Sequence, residues 1–224
     1  MSDRIIYDIT PFTHLDYPDN LAAIVWFVGC NMRCMYCYNS DIVFAKEGRY
    51  TPDDLLSFLR KRTGLLDGVV LSGGEPTLHD LAPLCRKIRA LGFKIKLDTN
   101  GLGPTRLREL VEEGLVQYVA LDFKANGARF GYITGSSRYE RFLESLDFLI
   151  GAKCPFEVRT TVHPDLLGKE AVEAMAGELY RRGYRGTYYL QSFVETGRNI
   201  ADIGPPTHSF KEQRLDTPLP VLWR

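Results

Sequence analysis

Short apolar, β-branched runs alternate along the chain with longer stretches in which apolar residues recur at helical spacing. The runs that we predict as strands are 23–28, 68–72, 94–98, 118–123, 156–162 and 187–191. The stretches that we predict as helices are 52–62, 81–91, 105–113, 138–151 and 169–182. This alternation is typical of parallel βαβ units, in which helices cover the sheet. It predicts an α/β fold of six units, but periodicity alone does not distinguish an incomplete barrel from a flat doubly wound sheet.

The ends of several predicted helices carry residues that favour helix termini. Thr51 precedes Pro52, which is the arrangement of an N-cap followed by proline at the first helical position. Gly92, Gly114 and Gly183 each follow a predicted helix, where glycine adopts a left-handed cap at low cost. These residues support the helix boundaries given above.

The last thirty or so residues differ from the rest, because they show little periodicity and contain several prolines. We therefore predict a division into a barrel, residues 1–195, and a C-terminal tail, residues 196–224. Within the tail, residues 219–223 are expected to form either a short edge strand or a mobile terminus.

The composition is that of an ordinary globular protein. The chain has 224 residues, of which 45% are apolar and 25% charged, and its 28 basic and 28 acidic residues cancel. This balance gives no electrostatic reason to expect nucleic acid or an anionic membrane as a partner. No apolar run is long enough to span a bilayer, and the first residues lack the features of a secretory signal. We therefore expect a cytoplasmic protein.

Three of the five cysteines form the pattern Cys30-x-x-x-Cys34-x-x-Cys37, directly after the first predicted strand. Three thiolates can hold three corners of a [4Fe–4S] cluster, and the fourth iron then remains free to bind a small molecule. The alternatives are a zinc site and cysteines without a metal; zinc would need a fourth ligand, and neither His14 nor His79 lies at the spacing of a zinc finger. We favour the cluster.

The remaining cysteines do not suggest a second centre. Cys85 lies in a predicted helix and Cys154 lies just before a predicted strand. Free cysteine is often a small buried residue, and we predict that role for both.

Polar residues recur at the carboxyl ends of the predicted strands, where parallel barrels carry their active sites. They are Ser72-Gly73-Gly74-Glu75-Pro76, Asp98-Thr99-Asn100-Gly101, Asp122-Phe123-Lys124, Arg159 with its two threonines, and Gln191. If the strands are parallel, these groups meet at one rim together with the cysteines. Their convergence is a stronger indication of a site than any one motif.

Each of these groups also has a purely structural interpretation. Gly73 and Gly74 could form a turn, or could let the backbone approach a ligand closely. Asp98 and Asp122 could cap the segments that follow them, or could together hold a cation.

The basic and aromatic candidates are also open to two interpretations. Lys124 could lie at the surface or contact a ligand carboxylate. Arg159, inside a β-branched strand, needs a partner in either case. Tyr36 could pack the loop or lie beside an adenine.

Several segments together resemble the radical S-adenosylmethionine (SAM) activating enzymes of glycyl radical proteins, and most of all the anaerobic ribonucleoside-triphosphate reductase activating proteins. The resemblance extends from about Pro11 to Val162. Its segments are Pro11-Phe-Thr-His-Leu-Asp-Tyr-Pro, Gly29-Cys-Asn-Met-Arg-Cys-Met-Tyr-Cys-Tyr-Asn, Leu66-Asp-Gly-Val-Val-Leu-Ser-Gly-Gly-Glu-Pro-Thr, Lys96-Leu-Asp-Thr-Asn-Gly and Ala120-Leu-Asp-Phe-Lys-Ala. The resemblance implies an incomplete (β/α)6 TIM-like barrel of the radical SAM type.

The resemblance also implies roles for individual residues. Cys30, Cys34 and Cys37 would bind the cluster, Tyr36 would lie beside the adenine of SAM, and Gly73, Gly74 and Glu75 would bind its amino group. Asp98, Thr99, Asp122 and the Phe123 carbonyl would hold a monovalent cation near the SAM carboxylate, and Lys124 would contact that carboxylate. Arg159 lies in the matching motif of the fifth strand and would be a further cofactor-binding residue.

The function implied is a radical SAM oxidoreductase that cleaves SAM reductively and takes a hydrogen atom from a glycine of a partner enzyme. The partner would be an anaerobic ribonucleotide reductase, and the electron donor a flavodoxin or ferredoxin. The alternatives are a radical SAM enzyme for a small molecule, such as a 7-carboxy-7-deazaguanine synthase-like reaction, and a non-enzymatic metal module.

Overall fold

The computed structural model describes residues 3–224 and contains one eight-stranded sheet whose strands follow one another in chain order. The strands are β1 (Ile6–Thr13), β2 (Ala22–Phe27), β3 (Gly68–Gly73), β4 (Lys94–Thr99), β5 (Tyr118–Asp122), β6 (Phe156–Val162), β7 (Tyr188–Ser192) and β8 (Val221–Trp223). Strands β2 to β8 are parallel, and β1 pairs antiparallel with β2. Because β1 and β8 are the two edges, the sheet forms an incomplete barrel with an open side, as expected.

Helices connect the parallel strands. They are α1 (Ser40–Phe44), α2 (Pro52–Arg60), α3 (Ala82–Ala90), α4 (Pro104–Glu112), α5 (Gly127–Thr134), α6 (Tyr139–Gly151) and α7 (Lys169–Arg182). The predicted helices and parallel strands are all present, with ends that differ by at most two residues. The capping prediction is confirmed at α2, where the Thr51 side chain accepts a hydrogen bond from the Asp54 N–H. Gly183 ends α7 with a φ of 105°.

The two faces of the sheet bury different side chains, because successive residues of a strand point to opposite faces. Val69 and Leu71 of β3 belong to the main core, which they share with helix residues such as Leu55 and Ile88. Val70, between them, belongs instead to a small cluster with Tyr17, Ala22 and Ile24. The main core therefore lies between sheet and helices, and the inner face is left largely to polar residues.

Besides the short helix α1, two longer elements were not predicted from the sequence, β1 and α5. Strand β1 contains Asp8 and Pro11, and proline is tolerated in a strand only at an edge such as this one. Helix α5 contains Gly127 and Gly131, which lower helix propensity. Both elements depend on tertiary packing rather than on a strong local signal.

The C-terminal tail returns to the barrel. It provides β8, within the segment for which an edge strand was one of two expectations, and β8 pairs parallel with β7. Earlier in the tail, the backbone N–H groups of Ile200 and Ala201 donate to the carbonyl oxygens of Cys37 and Met35. The division of the chain at residue 195 remains a prediction. Among the helices of the described residues, none has both the length and the apolar character needed to cross a membrane.

Candidate functional site

The predicted site residues lie around one cavity at the carboxyl ends of the parallel strands. The structure brings all of them together there: Cys30, Cys34, Tyr36, Cys37, Gly73, Gly74, Glu75, Asp98, Thr99, Asp122, Lys124 and Arg159. Seven segments that are far apart in sequence, including Trp26 of β2 and Gln191 of β7, contribute to the same wall. The convergence expected from parallel strands is therefore present.

A larger depression, of about 780 Å³, lies at the opposite end of the sheet, between the α4–β5 and α6–β6 connections. Its lining includes the half-buried Cys154, and in the described part of the chain it shares no residue with the cavity above. The buried charges are concentrated in the first cavity, which is therefore the candidate site.

The three cysteines lie on the loop of residues 28–39, here called the cysteine loop, between β2 and α1. This loop contacts the glycines after β3 through the backbone: the Gly74 N–H donates to Phe27 O at 2.9 Å and the Glu75 N–H to Gly29 O at 2.8 Å. A Cβ at Gly74 would lie 1.8 Å from Gly29 O, and one at Gly73 would lie 2.3 Å from Phe27 N. Both glycines are therefore required because two backbones meet, whatever ligand binds nearby.

The cysteine thiols are free; Cys34 is buried, and Cys30 and Cys37 are half-buried. Burial raises the pKa of Cys34 to about 12 and, together with the charge of Glu75, raises the pKa of Cys30 to about 11. A metal binds thiolates, so a metal that binds here must displace these protons. In residues 3–224, no three His, Cys, Asp or Glu side chains are grouped closely enough to share one metal ion. A [4Fe–4S] cluster takes each thiolate on a different iron atom, so its ligands need not converge on one point.

Glu75 is almost completely buried, at 1% exposure, and four donors surround its carboxylate. Its Oε1 accepts from the backbone N–H and hydroxyl of Thr77, at 3.0 and 2.6 Å, and from the Thr99 hydroxyl at 2.7 Å. Its Oε2 accepts from the Asn100 N–H at 2.7 Å. Burial raises the pKa of Glu75 even though these donors favour the carboxylate. The side chain therefore fastens the loop after β3 to the loop after β4.

Asn100 is a residue of this site that the sequence analysis did not single out. Its side-chain amide donates to Asn31 Oδ1 at 2.8 Å and lies 3.8 Å from Cys30 Sγ. The side-chain oxygen of Asn100, Oδ1, accepts a hydrogen bond from the Leu102 N–H, which fixes the orientation of the side-chain amide. Its position directly after Asp98 and Thr99, at the end of a predicted strand, was the feature of the sequence that could have indicated its role.

Five charged side chains of alternating sign form a row on the inner face of the sheet. Lys96 Nζ lies 2.5 Å from Asp98 Oδ1, and Arg159 Nη2 lies 3.2 Å from Asp98 Oδ2. Arg159 Nε lies 2.5 Å from Asp122 Oδ1, and Lys124 Nζ lies 3.1 Å from Asp122 Oδ2. Three cations therefore share two carboxylates. Lys96, a lysine inside an apolar strand, was also missed by the sequence analysis.

The strand register explains why these charges meet. Asp122 and Arg159 are direct partners across β5 and β6. Asp98 is the partner of Ala120, whose short side chain lets Arg159 reach across β5. Burial raises the carboxylate pKa values, but the charges of Arg159 and its lysine neighbours outweigh that effect. The pKa of Asp98 is lowered, and that of Asp122 falls to about 2.

The cation expected at Asp98 and Asp122 does not fit this arrangement, because both carboxylates already have cationic partners. The Phe123 carbonyl oxygen, a further expected ligand, accepts from the Thr160 hydroxyl at 2.5 Å. The Thr99 hydroxyl donates to Glu75. A cluster at the three thiols meets no such conflict.

Tyr36 and Lys124 lie next to each other on the cavity wall. Tyr36 is 4% exposed, and its hydroxyl lies 3.4 Å from Lys124 O. Burial opposes the charge of Lys124, but Asp122 and the nearby Cys34 raise its pKa. Lys124 therefore keeps its positive charge within the cavity.

The sequence and the fold were compared with those of known proteins. A protein of Methanocaldococcus jannaschii, named provisionally as a glycyl-radical enzyme activating enzyme, is 30% identical over 182 residues, which are 77% of this chain and 74% of that protein. The pyruvate formate-lyase-activating enzyme of Clostridium pasteurianum is 29% identical over 185 residues, which are 76% of this chain and 74% of that enzyme.

The fold is similar to that of Streptococcus suis SuiB bound to S-adenosylmethionine, with a TM-score of 0.68 at 15% identity. That match covers 90% of this chain and 51% of the other, so this chain spans about half the length of SuiB. The sequence profile of the Radical SAM superfamily matches residues 24–176, which is more than half of the chain. The chain therefore belongs to the radical SAM superfamily of enzymes, which use a [4Fe–4S] cluster and S-adenosylmethionine.

Proposed function

We propose that this enzyme activates a glycyl radical enzyme by removing a hydrogen atom from a glycine of that partner, an anaerobic ribonucleoside-triphosphate reductase. The observation that carries the proposal is the single cavity that joins Cys30, Cys34 and Cys37 to the polar ends of β3–β6. Similarity to two proteins named as activating enzymes supports it. Because both of these relatives are named as activating enzymes, a small-molecule ring-contraction reaction is not proposed.

The three cysteines would hold the cluster, and its fourth iron would face the cavity and bind SAM. When bound, the reduced cluster supplies one electron to the sulfonium of SAM, and SAM separates into methionine and a 5′-deoxyadenosyl group. That group takes one hydrogen atom from the substrate and leaves as 5′-deoxyadenosine. The electron would come from a flavodoxin or ferredoxin.

The remaining roles belong to the walls of the cavity. The backbone at Gly73 and Gly74 would receive the SAM amino group, while buried Glu75 holds that backbone in place. Lys124 and Arg159 would face the SAM carboxylate, since both carry positive charge within the cavity. Tyr36 would border the adenine.

The open side of the barrel supports a protein substrate. The edges of the described sheet are β1 and β8, and these two strands are not paired with each other. A glycine on an extended loop of a partner could approach the cavity through this gap, whereas small-molecule sites are usually more enclosed.

The test is anaerobic incubation of the reconstituted enzyme with SAM, reduced flavodoxin and the reductase. We expect a glycyl radical doublet in the electron paramagnetic resonance spectrum. With reductase that contains α-deuterated glycine, we expect one deuterium in the 5′-deoxyadenosine measured by mass spectrometry.

Two matched controls make the outcome specific. The Cys34→Ala enzyme should cleave no SAM, whereas Cys85→Ala, at a buried cysteine outside the site, should retain cleavage. SAM cleavage by the wild type without a doublet or deuterium transfer would contradict the proposed partner and leave the superfamily assignment intact.

A further inference from the structure

The row of charges on the inner face leaves no carboxylate oxygen of Asp98 or Asp122 without a cationic partner. Asp98 Oδ1 is paired with Lys96 and its Oδ2 with Arg159, and Asp122 is paired with Arg159 and Lys124. An added alkali ion would have to displace one of these cations. Burial makes that costly, because the displaced charge would remain in the interior without a partner.

The neutral oxygens nearby are also engaged. Thr160 donates its hydroxyl to Phe123 O at 2.5 Å, and Thr99 donates its hydroxyl to Glu75 at 2.7 Å. Thr99 Oγ1 also accepts from the Gly101 N–H at 3.1 Å. An alkali ion at these oxygens would therefore have to share them with the groups that already bind them within the chain.

Lys96 is the member of the row that does not line the cavity, whereas Asp98, Asp122, Lys124 and Arg159 do. It lies on β4 two residues before Asp98, so both side chains point to the inner face. It is 1% exposed, and its Nζ has Asp98 Oδ1 at 2.5 Å. The ammonium group carries the same charge as an alkali ion. Unlike an ion, it is part of the chain and lies at a fixed position below the cavity.

We propose that Lys96 is a positioning residue that takes the place of an alkali cation beside Asp98, so that SAM binds here without any added monovalent metal ion. The ammonium group keeps Asp98 ionised and directed toward Arg159, which in turn faces the SAM carboxylate. The part of this proposal that concerns SAM rests on the proposed function; the part that concerns Lys96 and Asp98 does not.

The first experiment uses the unaltered, cluster-loaded protein under anaerobic conditions. SAM affinity is measured by calorimetry in potassium chloride, sodium chloride and tetramethylammonium chloride at equal ionic strength. Tetramethylammonium has the same charge but is too large for a carboxylate site. We expect the three dissociation constants to agree within about twofold, and weakening by about tenfold or more without alkali ions would overturn the proposal.

The second experiment removes the internal cation. Lys96→Met should lower the melting temperature of the cluster-loaded protein in tetramethylammonium chloride, and potassium or sodium should restore part of the loss. Lys94→Met is the matched control, since Lys94 lies on the same strand but is exposed, and its ammonium group donates to the neutral side chain of Asn20. The melting temperature of Lys94→Met should be the same in all three salts. A Lys96→Met protein that melts equally in all three salts would contradict the proposed role.

A double variant covers the case in which Lys96→Met does not fold. Lys96→Met combined with Asp98→Asn removes both charges, and it should fold and melt at the same temperature in all three salts. If it instead requires alkali ions, the proposal fails. Absence of SAM binding in every salt would reject the proposed function, while the melting experiments would still decide the role of Lys96.

Discussion

At the scale of single residues, Glu75 shows how a site residue can join two loops of the chain. The sequence suggested that its carboxylate binds an ammonium group. In the structure four donors from Thr77, Thr99 and Asn100 already occupy that carboxylate. Its position in the sequence was therefore informative about the site, but two of its four donors come from Thr99 and Asn100, about twenty-five residues later at the end of β4.

Glu75→Gln separates these two roles. Glutamine keeps the shape of the side chain, but its amide has two N–H donors where the carboxylate has an acceptor. These donors would face the N–H and hydroxyl groups that now donate to Glu75, and a buried donor without an acceptor costs about 1–3 kcal/mol. We expect the free energy of unfolding in urea to fall by about that amount, even without SAM. Glu113→Gln, at an exposed ion pair with Arg86, should change little. Unchanged stability with weakened SAM binding would instead support direct contact with the ligand.

Gly74→Ala tests the close contact between the cysteine loop and the loop after β3. Its Cβ would lie 1.8 Å from Gly29 O, so one backbone must move. Overpacking of this kind costs about 1–3 kcal/mol, and we expect lower thermal stability and less bound iron per chain. Gly151→Ala, at the end of α6 with open space around it, should leave both quantities unchanged or slightly raised. Normal iron content in Gly74→Ala would contradict this account.

The sequence predicted the identities of the site residues better than their contacts. Clustered cysteines, paired glycines and charges at strand ends are recognisable because each follows a buried run. The row from Lys96 to Lys124 was not recognisable, because it depends on the register that places Asp122 beside Arg159 and Asp98 beside Ala120. Register is a property of paired strands and cannot be read from either strand alone.

At the scale of elements, strands and helices were predicted correctly where buried residues recur at a regular spacing. The edge strand β1 and the contacts of the tail were not predicted. The predicted parallel strands and helices are all present. Strand β1 was missed because its outer side has no neighbouring strand, so its apolar pattern is weak and Pro11 is tolerated. The contacts between the tail and the cysteine loop were also missed, since they join segments about 160 residues apart.

The tail contact gives a prediction at this scale. Asn199 donates its side-chain amide to Tyr36 O at 3.0 Å, next to the backbone bonds of Ile200 and Ala201. Loss of one hydrogen bond of about 1 kcal/mol should increase local opening about fivefold. We therefore expect trypsin to cleave after the exposed Arg198 about fivefold faster in Asn199→Ala.

Iron loading provides the control for this experiment. A bound cluster orders the cysteine loop, so cleavage after Arg198 should be slower in the loaded wild type than in the iron-free wild type. Equal rates in both forms and in Asn199→Ala would show that the tail does not support the loop. Asn20→Ala, at a half-buried asparagine on the loop before β2, should cleave like the wild type.

At the scale of the whole molecule, the inner face of the barrel is unusual because it is stabilised by buried charges. Asp98 and Asp122 have folded-state pKa values below the unfolded value of about 3.9, and that of Asp122 is about 2. Their contribution to stability is therefore fully present above about pH 4 and is lost as the pH falls toward 2. Burial raises the pKa of Glu75, so its effect on the free energy of unfolding changes with pH in the opposite direction.

This linkage predicts that the free energy of unfolding falls between about pH 4 and pH 2. The measurement is urea unfolding across that range. In the variant with Lys96→Met and Asp98→Asn, one of the two carboxylates is absent, so the fall should be smaller than in the wild type. An equal pH dependence in both proteins would show that the row of charges does not control acid stability.

The backbone bonds from Ile200 and Ala201 to the cysteine loop also bear on biosynthesis. The three cysteines leave the ribosome before the residues that complete their loop, which follow about 160 residues later in the chain. While the chain is still being translated, the thiols are therefore held by a loop that lacks part of its support. Delivery of iron and sulfide to this protein should accordingly follow synthesis of residues 199–201, so that the cluster is inserted after the strands and helices of the barrel have been made.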